Sequence, residues 1–338
     1  MNEQKAIENY HYNFKTSVKK IIKNRDLTGK IVVVTGGYSG IGLATVQALA
    51  CAGARVVVPA RRIDVAQKAL AGLVNVKIFQ MDLMAPASIS RFAKDFLKEH
   101  ERLDILINAA GIMYVPLRRD KRGIESHFAT NHLGHFQLTL ALLPALKKSG
   151  NARVINLSSR AQQSSSLLDD WNFTDTHHYT PQLGYQQSKT ANVLFSVALD
   201  ARGKNAGIRS FAVHPGMIPT TNIGREHFQF RPWQREIAEK LLLVRVSDFF
   251  KALRVGFDRS KYRYFKTIQQ GAASVVWAAT SPDLADKGGL YLEDCNIARL
   301  MTENEADNFS GGVRPHSIDP RAAERLWQIS VEQTGSDF

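Results

Sequence analysis

The sequence predicts an α/β protein built on a doubly wound, parallel sheet of about seven strands with helices on both faces. Two observations carry this expectation. Short β-branched runs alternate with helical stretches along most of the chain, and within each run consecutive residues are apolar. A strand that is apolar on both sides belongs in a parallel sheet covered by helices above and below. The runs are 31–35 (IVVVT), 55–59 (RVVVP), 76–80 (VKIFQ), 103–108 (LDILIN), 152–157 (ARVINL), 208–213 (IRSFAV) and 289–293 (GLYLE). Ahead of them, Ile7, Phe14, Val18 and Ile21 recur at helical spacing, which predicts an amphipathic helix over 3–24. The expected organisation is an N-terminal extension (1–27), one large domain (28–330) and a short tail (331–338). The alternation fails once, at 222–266, where a long basic and aromatic insertion is expected to form one or two helices.

Composition bounds the function. The 338 residues are 44% hydrophobic and 22% charged, which excludes disordered, collagenous and low-complexity classes. The net charge of +13 is concentrated in two peripheral segments, +4 in residues 1–30 and +6 in residues 225–266. A uniformly basic nucleic-acid binder would not look like this, and no base-reading motif or stacking platform is visible. Solvated helices explain the two segments, with contact to an anionic membrane surface as the alternative. Cys51 and Cys295 are far apart and share no metal spacing, so neither a disulfide framework nor a metal site is expected. No apolar run reaches the ~18 residues a membrane span needs, and the N-terminus lacks the apolar core of a secretory signal. A cytoplasmic location is expected.

The first strand runs into Thr35-Gly36-Gly37-Tyr38-Ser39-Gly40-Ile41-Gly42 and then a helix. Glycines allow a tight turn and a close backbone approach to phosphate, while the helix start offers N–H groups and a positive dipole end. A strand–glycine turn–helix unit at this position predicts a Rossmann-type dinucleotide site. The second strand ends in Pro59-Ala60-Arg61-Arg62, with no carboxylate before Asp64. An acidic side chain here would bond a ribose 2′-hydroxyl; guanidinium groups instead favour the 2′-phosphate of NADP. NADP(H) is therefore expected in preference to NAD(H).

Tyr185 and Lys189 stand four residues apart in an apolar helical stretch, so both side chains share one face. A phenol has a pKa near ~10, and a neighbouring ammonium lowers it toward a range useful for proton transfer. Ser158 and Ser159 end the fifth strand, Asn108-Ala109-Ala110-Gly111 follow the fourth, and Asn131 lies between them.

These motifs, with Asp82-Leu83 and Pro215-Gly216, occur in the order found in the short-chain dehydrogenase/reductase family, which the chain resembles over about residues 28–221 and 267–330. The resemblance implies roles at matching positions. Tyr185 would be the general acid in reduction and the base in oxidation, tuned by Lys189, which would also hold the nicotinamide ribose. Ser159 would hydrogen-bond the substrate carbonyl, and Asn131 would hold a water linking Lys189 to solvent. Gly36, Ser39, Gly40, Ile41 and Gly42 would cradle the pyrophosphate. Asp82 and Leu83 would flank the adenine, and Asn108, Ala109, Ala110 and Gly111 would line the cofactor. Beyond Pro215 and Gly216, Ile218 and Thr220 would meet the nicotinamide carboxamide. The segments 185–195, 131–136 and 291–295 are similar to the retinol-dehydrogenase-like branch and its bacterial relatives. Residues 215–227 are also similar to light-dependent protochlorophyllide reductases, although Met217 stands where those enzymes carry Cys.

The implied activity is interconversion of an apolar or aromatic ketone or aldehyde with its alcohol, in a dimer or tetramer. The alternatives are a silent dinucleotide-binding scaffold and a double-bond reductase. The insertion suggests a lid over an apolar substrate, with an oligomer contact or a membrane-surface element as alternatives. His132 and His135 are better explained by packing and hydrogen bonding than by metal. His177 and His178 are expected near the mouth of the site.

Overall fold

The computed structural model describes residues 3–8, 10–218, 221, 223, 265–302, 305 and 311–338. Almost all of the 222–266 insertion, and Thr220, lie outside the described residues. Among the described residues, eight strands form one sheet: β1 (Ile31–Val34), β2 (Arg55–Ala60), β3 (Val76–Gln80), β4 (Ile105–Asn108), β5 (Ala152–Leu157), β6 (Ile208–His214), β7 (Leu290–Glu293) and β8 (Asn296–Ile297). Their order is β3-β2-β1-β4-β5-β6-β7-β8, parallel up to β7, with only β8 antiparallel. All seven apolar runs are strands. The eighth, two residues long, follows a turn at Asp294-Cys295, both in the left-handed region at φ +54° and +58°.

The central strands β1, β4 and β5 are buried on both faces because consecutive residues are apolar, whereas the edge strand β3 is only half-buried. Val32 and Val34 point into one core, with α2 (Gly40–Cys51) and the helix Ile268–Thr280, whose Trp277 is fully buried. Val33 points into the other core with α4 (Pro86–Glu99), α5 (Gly134–Ala141) and α7 (Pro181–Gly203). The remaining helices are α1 (Val18–Ile22), α3 (Ile63–Ala69), α6 (Leu143–Ser149), α8 (Ile268–Thr280), α9 (Pro315–Ile318) and α10 (Pro320–Thr334). The chain reverses direction across the sheet between β1 and β4. In open α/β sheets, ligands bind at such a switch point, outside the carboxyl ends of the strands.

The N-terminal extension differs from the expected helix. Only Val18–Ile22 is helical, and most of residues 3–17 follows a non-helical course along the molecule. The physical reason is that its polar groups are claimed by distant partners. Gln4 Nε2 donates to the carbonyls of Tyr291 and Ala298, both at 2.7 Å, and Gln4 Oε1 accepts from the Tyr291 N–H at 3.1 Å. The backbone of Ile7 pairs with the Asn296 side chain at 2.9 and 3.0 Å. Farther on, Tyr10 Oη accepts from Trp277 Nε1 at 2.8 Å and donates to Asp283. Helical periodicity reported apolar contacts correctly but not the backbone that delivers them. The C-terminal end is similarly tied down: α10 runs to Thr334, Trp327 Nε1 donates to Asp337 Oδ1 at 3.0 Å, and Lys147 lies over the Phe338 ring.

Gln4 therefore acts as a one-residue extension of the sheet beside β7. Gln4→Ala removes three hydrogen bonds and is expected to cost about 1–3 kcal/mol, read as a lower urea midpoint. An unchanged midpoint would show that the extension is not fastened there.

Candidate active site

At the end of β1, Gly36 sits at φ +66° and Gly40 at +51°. A Cβ on Gly36 would lie 3.0 Å from Ala110 Cα, and one on Gly42 would lie 2.3 Å from the Gly36 carbonyl oxygen. The turn is thus closed to any larger residue at 36 and 42. Ser39 precedes the twelve-residue α2 in an extended conformation, and its side chain makes no capping bond. No acidic side chain occupies the first turn. A glycine cradle opening onto an uncapped helix start fits a pyrophosphate. Ile41 is half-buried just inside the helix.

Thr35 joins this loop to the next strand end. Its Oγ1 accepts from the N–H groups of Ala109 and Ala110 at 2.9 and 3.0 Å, and it lies 2.9 Å from His135 Nε2. With two bonds accepted, the hydroxyl donates to Nε2, so the His135 proton sits on Nδ1, 3.0 Å from the Asn131 carbonyl. Burial pushes His135 down to about 4, which keeps that neutral form. His132 is also held neutral by burial, at about 3, and bonds Ser330 at 2.7 Å. Both histidines thus serve packing and hydrogen bonding, as expected.

Asn131 lies in a π-helical turn, Phe128–Leu133, leading into α5. Its Oδ1 accepts from Ile112 N at 2.9 Å, and its Nδ2 donates to Ile112 O at 3.0 Å and Ser188 Oγ at 2.9 Å. A Cβ on Gly111 would lie 3.0 Å from Asn131 Oδ1 and 3.7 Å from Lys189 Nζ. Asn131, Gly111 and Lys189 therefore share one small space. Asn108, by contrast, is turned into the sheet, where its amide donates to Asn156 at 2.8 Å and Thr139 at 3.3 Å.

The catalytic candidates converge where α7 crosses the end of β5. Thr180 caps α7 by accepting from Leu183 N, and Tyr185 follows in the second turn. Lys189 Nζ lies 5.5 Å from the centre of the Tyr185 ring and donates to the Leu157 carbonyl at 3.0 Å. Ser158 is buried and donates to the Lys189 carbonyl at 2.8 Å, so it fastens helix to strand. Ser159 is half-buried and lies within hydrogen-bonding reach of the Tyr185 phenol, so the second serine rather than the first stands beside it. One expectation is not met in this structure. Burial pushes the Tyr185 phenol up, with Ser159 offsetting part of the rise, and pushes the Lys189 ammonium down from 10.5 to about 8. Dehydration outweighs the proximity of the two groups.

The other candidates lie around the crevice. Arg61 and Arg62 are exposed at the end of β2, and neither guanidinium has a partner among the described residues. Asp82 accepts from the Met84 N–H at 3.0 Å, and Leu83 is buried. Pro215 and Gly216 (φ +92°) leave β6 over the Lys266 side chain, which pairs with Asp294 at 2.5 Å. Ile218 packs over Gly271, where a Cβ would lie 2.2 Å from it. His177 and His178 form an exposed single turn, and His178 pairs with Asp175 at 3.0 Å. Cys295 is buried and its thiol is pushed up to about 12 by burial. Four residues near Tyr185 were missed: Tyr114, Glu125, His127 and Tyr179. The available signal was the Glu125-Ser126-His127 triplet just ahead of Asn131.

A buried ammonium held by one carbonyl costs the fold stability. The lysine pKa is about 8 in the folded state and 10.5 unfolded, so between these values the unfolded chain binds more protons. Stability from this group therefore rises as pH climbs from 8 to 10.5 and is flat below. Lys189→Met is expected to raise stability at neutral pH by about 1–3 kcal/mol and to abolish that rise. Unfolding titrations across this pH range check both.

The family model described as short chain dehydrogenase matches residues 30–231. A protein named "Probable oxidoreductase" from Streptomyces antibioticus is 38% identical over 321 residues, covering 91% of this chain and 98% of that protein. Retinol dehydrogenase 12 of Mus musculus is 34% identical over 321 residues, covering 92% of this chain and 88% of the mouse protein. Among solved structures, an uncharacterised protein from Mycobacterium paratuberculosis superposes with a TM-score of 0.68 at 27% identity, covering 94% of this chain and 98% of the other. With its Rossmann-type sheet and its ordered motifs, the chain belongs to the short-chain dehydrogenase family of oxidoreductases, and its relatives include retinol dehydrogenases.

Proposed function

We propose that the protein interconverts an apolar or aromatic ketone or aldehyde with its alcohol, using NADP(H), with Tyr185 as the proton-transfer group. The observation that supports this most is the convergence of Ser159 and Lys189 on the Tyr185 phenol, beside a glycine cradle suited to a dinucleotide. When bound, the dinucleotide supplies or accepts the hydride. The chain supplies orientation and a proton. Ser159 holds the carbonyl oxygen, and Tyr185 Oη gives that oxygen its proton in reduction. With its pKa raised, the phenol holds that proton at neutral pH, the form that reduction requires. Lys189 orients the cofactor ribose and steadies the phenolate left behind. The Asn131 side chain is committed to Ile112 and Ser188, so its part is to shape the space between Gly111 and Lys189.

NADP(H) is favoured by Arg61 and Arg62, which stand exposed at the β2 end with no carboxylate before Asp64 in the first turn of α3. An apolar substrate is favoured by the aromatic wall that Tyr114 builds against Tyr185, and it accords with relatives named for retinol. The test follows NADPH oxidation over a panel of polyene, steroid, aromatic and short aliphatic aldehydes and ketones. Turnover of apolar members is expected, and the Arg61→Ala, Arg62→Ala double variant should lose roughly ten- to hundred-fold in preference for NADPH over NADH. An unchanged preference would overturn the cofactor assignment, and turnover confined to small polar carbonyls would overturn the substrate class.

A further inference from the structure

The Tyr185 ring is flanked by two aromatic edges. Tyr114 meets it with centroids 5.2 Å apart at 76°, and His127 meets it at 6.2 Å and 69°. Tyr114 itself is in the left-handed region, at φ +57°. A bulky residue stays there only where its surroundings force it. Those surroundings are two clips on the segment that follows Gly111. Asn131 grips both backbone groups of Ile112. Three residues on, the Val115 N–H donates to His127 Nε2 at 3.3 Å, and the Val115 carbonyl accepts from Tyr179 Oη at 2.9 Å. Met113 and Tyr114 bridge two fixed points.

The second clip is itself tightly specified. Because Nε2 accepts, the His127 proton sits on Nδ1, which donates to Glu125 Oε1 at 2.8 Å. Glu125 is fully buried and accepts from the N–H groups of His127 and Phe128, both at 2.9 Å, through Oε1 and Oε2. Gly184, directly before Tyr185, leaves room for this cluster: a Cβ there would lie 3.0 Å from both His127 Nδ1 and Tyr179 Cε2.

We infer that Glu125, His127 and Tyr179 are positioning residues that fix the 112–115 segment and, through Tyr114, set the orientation and dehydration of the Tyr185 phenol. This rests on the proton-transfer role proposed for Tyr185. Glu125 fixes the tautomer of His127, His127 and Tyr179 fix Val115, and the fixed backbone presses Tyr114 against the phenol ring. Among the described residues, Tyr114, His127, Ser159 and Lys189 face the phenol, and the Arg160 charge acts on Tyr114.

The test compares Tyr179→Phe, Glu125→Gln and His127→Gln with the unaltered protein. Three quantities are read: kcat and KM for a carbonyl, the pH midpoint of kcat/KM for alcohol oxidation, and hydrogen exchange in residues 112–116. Tyr179→Phe and Glu125→Gln are expected to lower kcat on the order of ten-fold, with the NADPH dissociation constant unchanged. Their oxidation midpoint should move to lower pH, because water admitted to the phenol relieves the burial that raises its pKa. A general loss of folded protein would lower the amplitude without moving the midpoint. His127→Gln, whose amide can accept from Val115 and donate to Glu125, should retain most activity. Exchange should quicken in Tyr179→Phe and Glu125→Gln. Unchanged kcat and midpoint in both variants would overturn the inference. Should Glu125→Gln not fold, Tyr179→Phe, which deletes one oxygen at a half-buried site, decides alone. Should no carbonyl be turned over, the reading of Tyr185 fails, while unchanged exchange at 112–116 would separately overturn the clip.

Discussion

The burial of the Lys189 ammonium is the constraint around which the site is built. A charge taken out of water needs compensating contacts, and among the described residues the Leu157 carbonyl accepts from the ammonium. That carbonyl also accepts from Asn192 Nδ2 at 2.9 Å, while Ser158 returns a bond from the strand to the Lys189 carbonyl. Helix α7 is thereby held to the end of β5 at a place where it carries a charge disfavoured by burial. The cost is tolerable because the same helix contributes Val193, Leu194, Phe195, Ala198 and Leu199 to the buried interior. A large apolar core supports a local arrangement that would not be stable alone, which is the usual relation between scaffold and reactive site.

A second network connects that arrangement to the dinucleotide cradle. Thr35 leaves β1 and ties the start of the segment after β4 through two N–H groups, and His135 links Thr35 to the Asn131 carbonyl. Asn131 in turn holds Ile112 and touches Ser188, one residue before Lys189. The glycine turn after β1 and the segment carrying Tyr185 and Lys189 are thus joined by a continuous set of hydrogen bonds through the crevice floor. Thr35, His135 and Asn131 each both donate and accept in it, so the two halves of the site are placed relative to one another with little freedom.

Much of this was readable from the sequence, for definable reasons. Consecutive β-branched residues located seven strands because a strand covered on both faces must be apolar on both. Tyr185 and Lys189 were readable because four residues on a helix return to the same face, and Ser159 because the resemblance to the family singles out the second serine of the pair. The N-terminal extension misled because Ile7 and Val18 pack into the core without one continuous helix between them. The direction of the Tyr185 pKa misled because spacing reports proximity but not dehydration. Glu125, His127 and Tyr179 were missed because their partners, Val115 above all, are brought to them only by the fold. Asn108 shows the same limit: motif order places the residue, whereas its side chain is spent on Asn156 in the neighbouring strand.

The central claim is that the Tyr185 hydroxyl carries the proton. The most direct measurement is single-turnover hydride transfer from NADPH to an accepted aldehyde in Tyr185→Phe, with NADPH affinity measured alongside. The account predicts a loss on the order of 10²–10⁴-fold in the transfer rate, with NADPH still bound. A variant that binds NADPH and transfers hydride at the unaltered rate would contradict it.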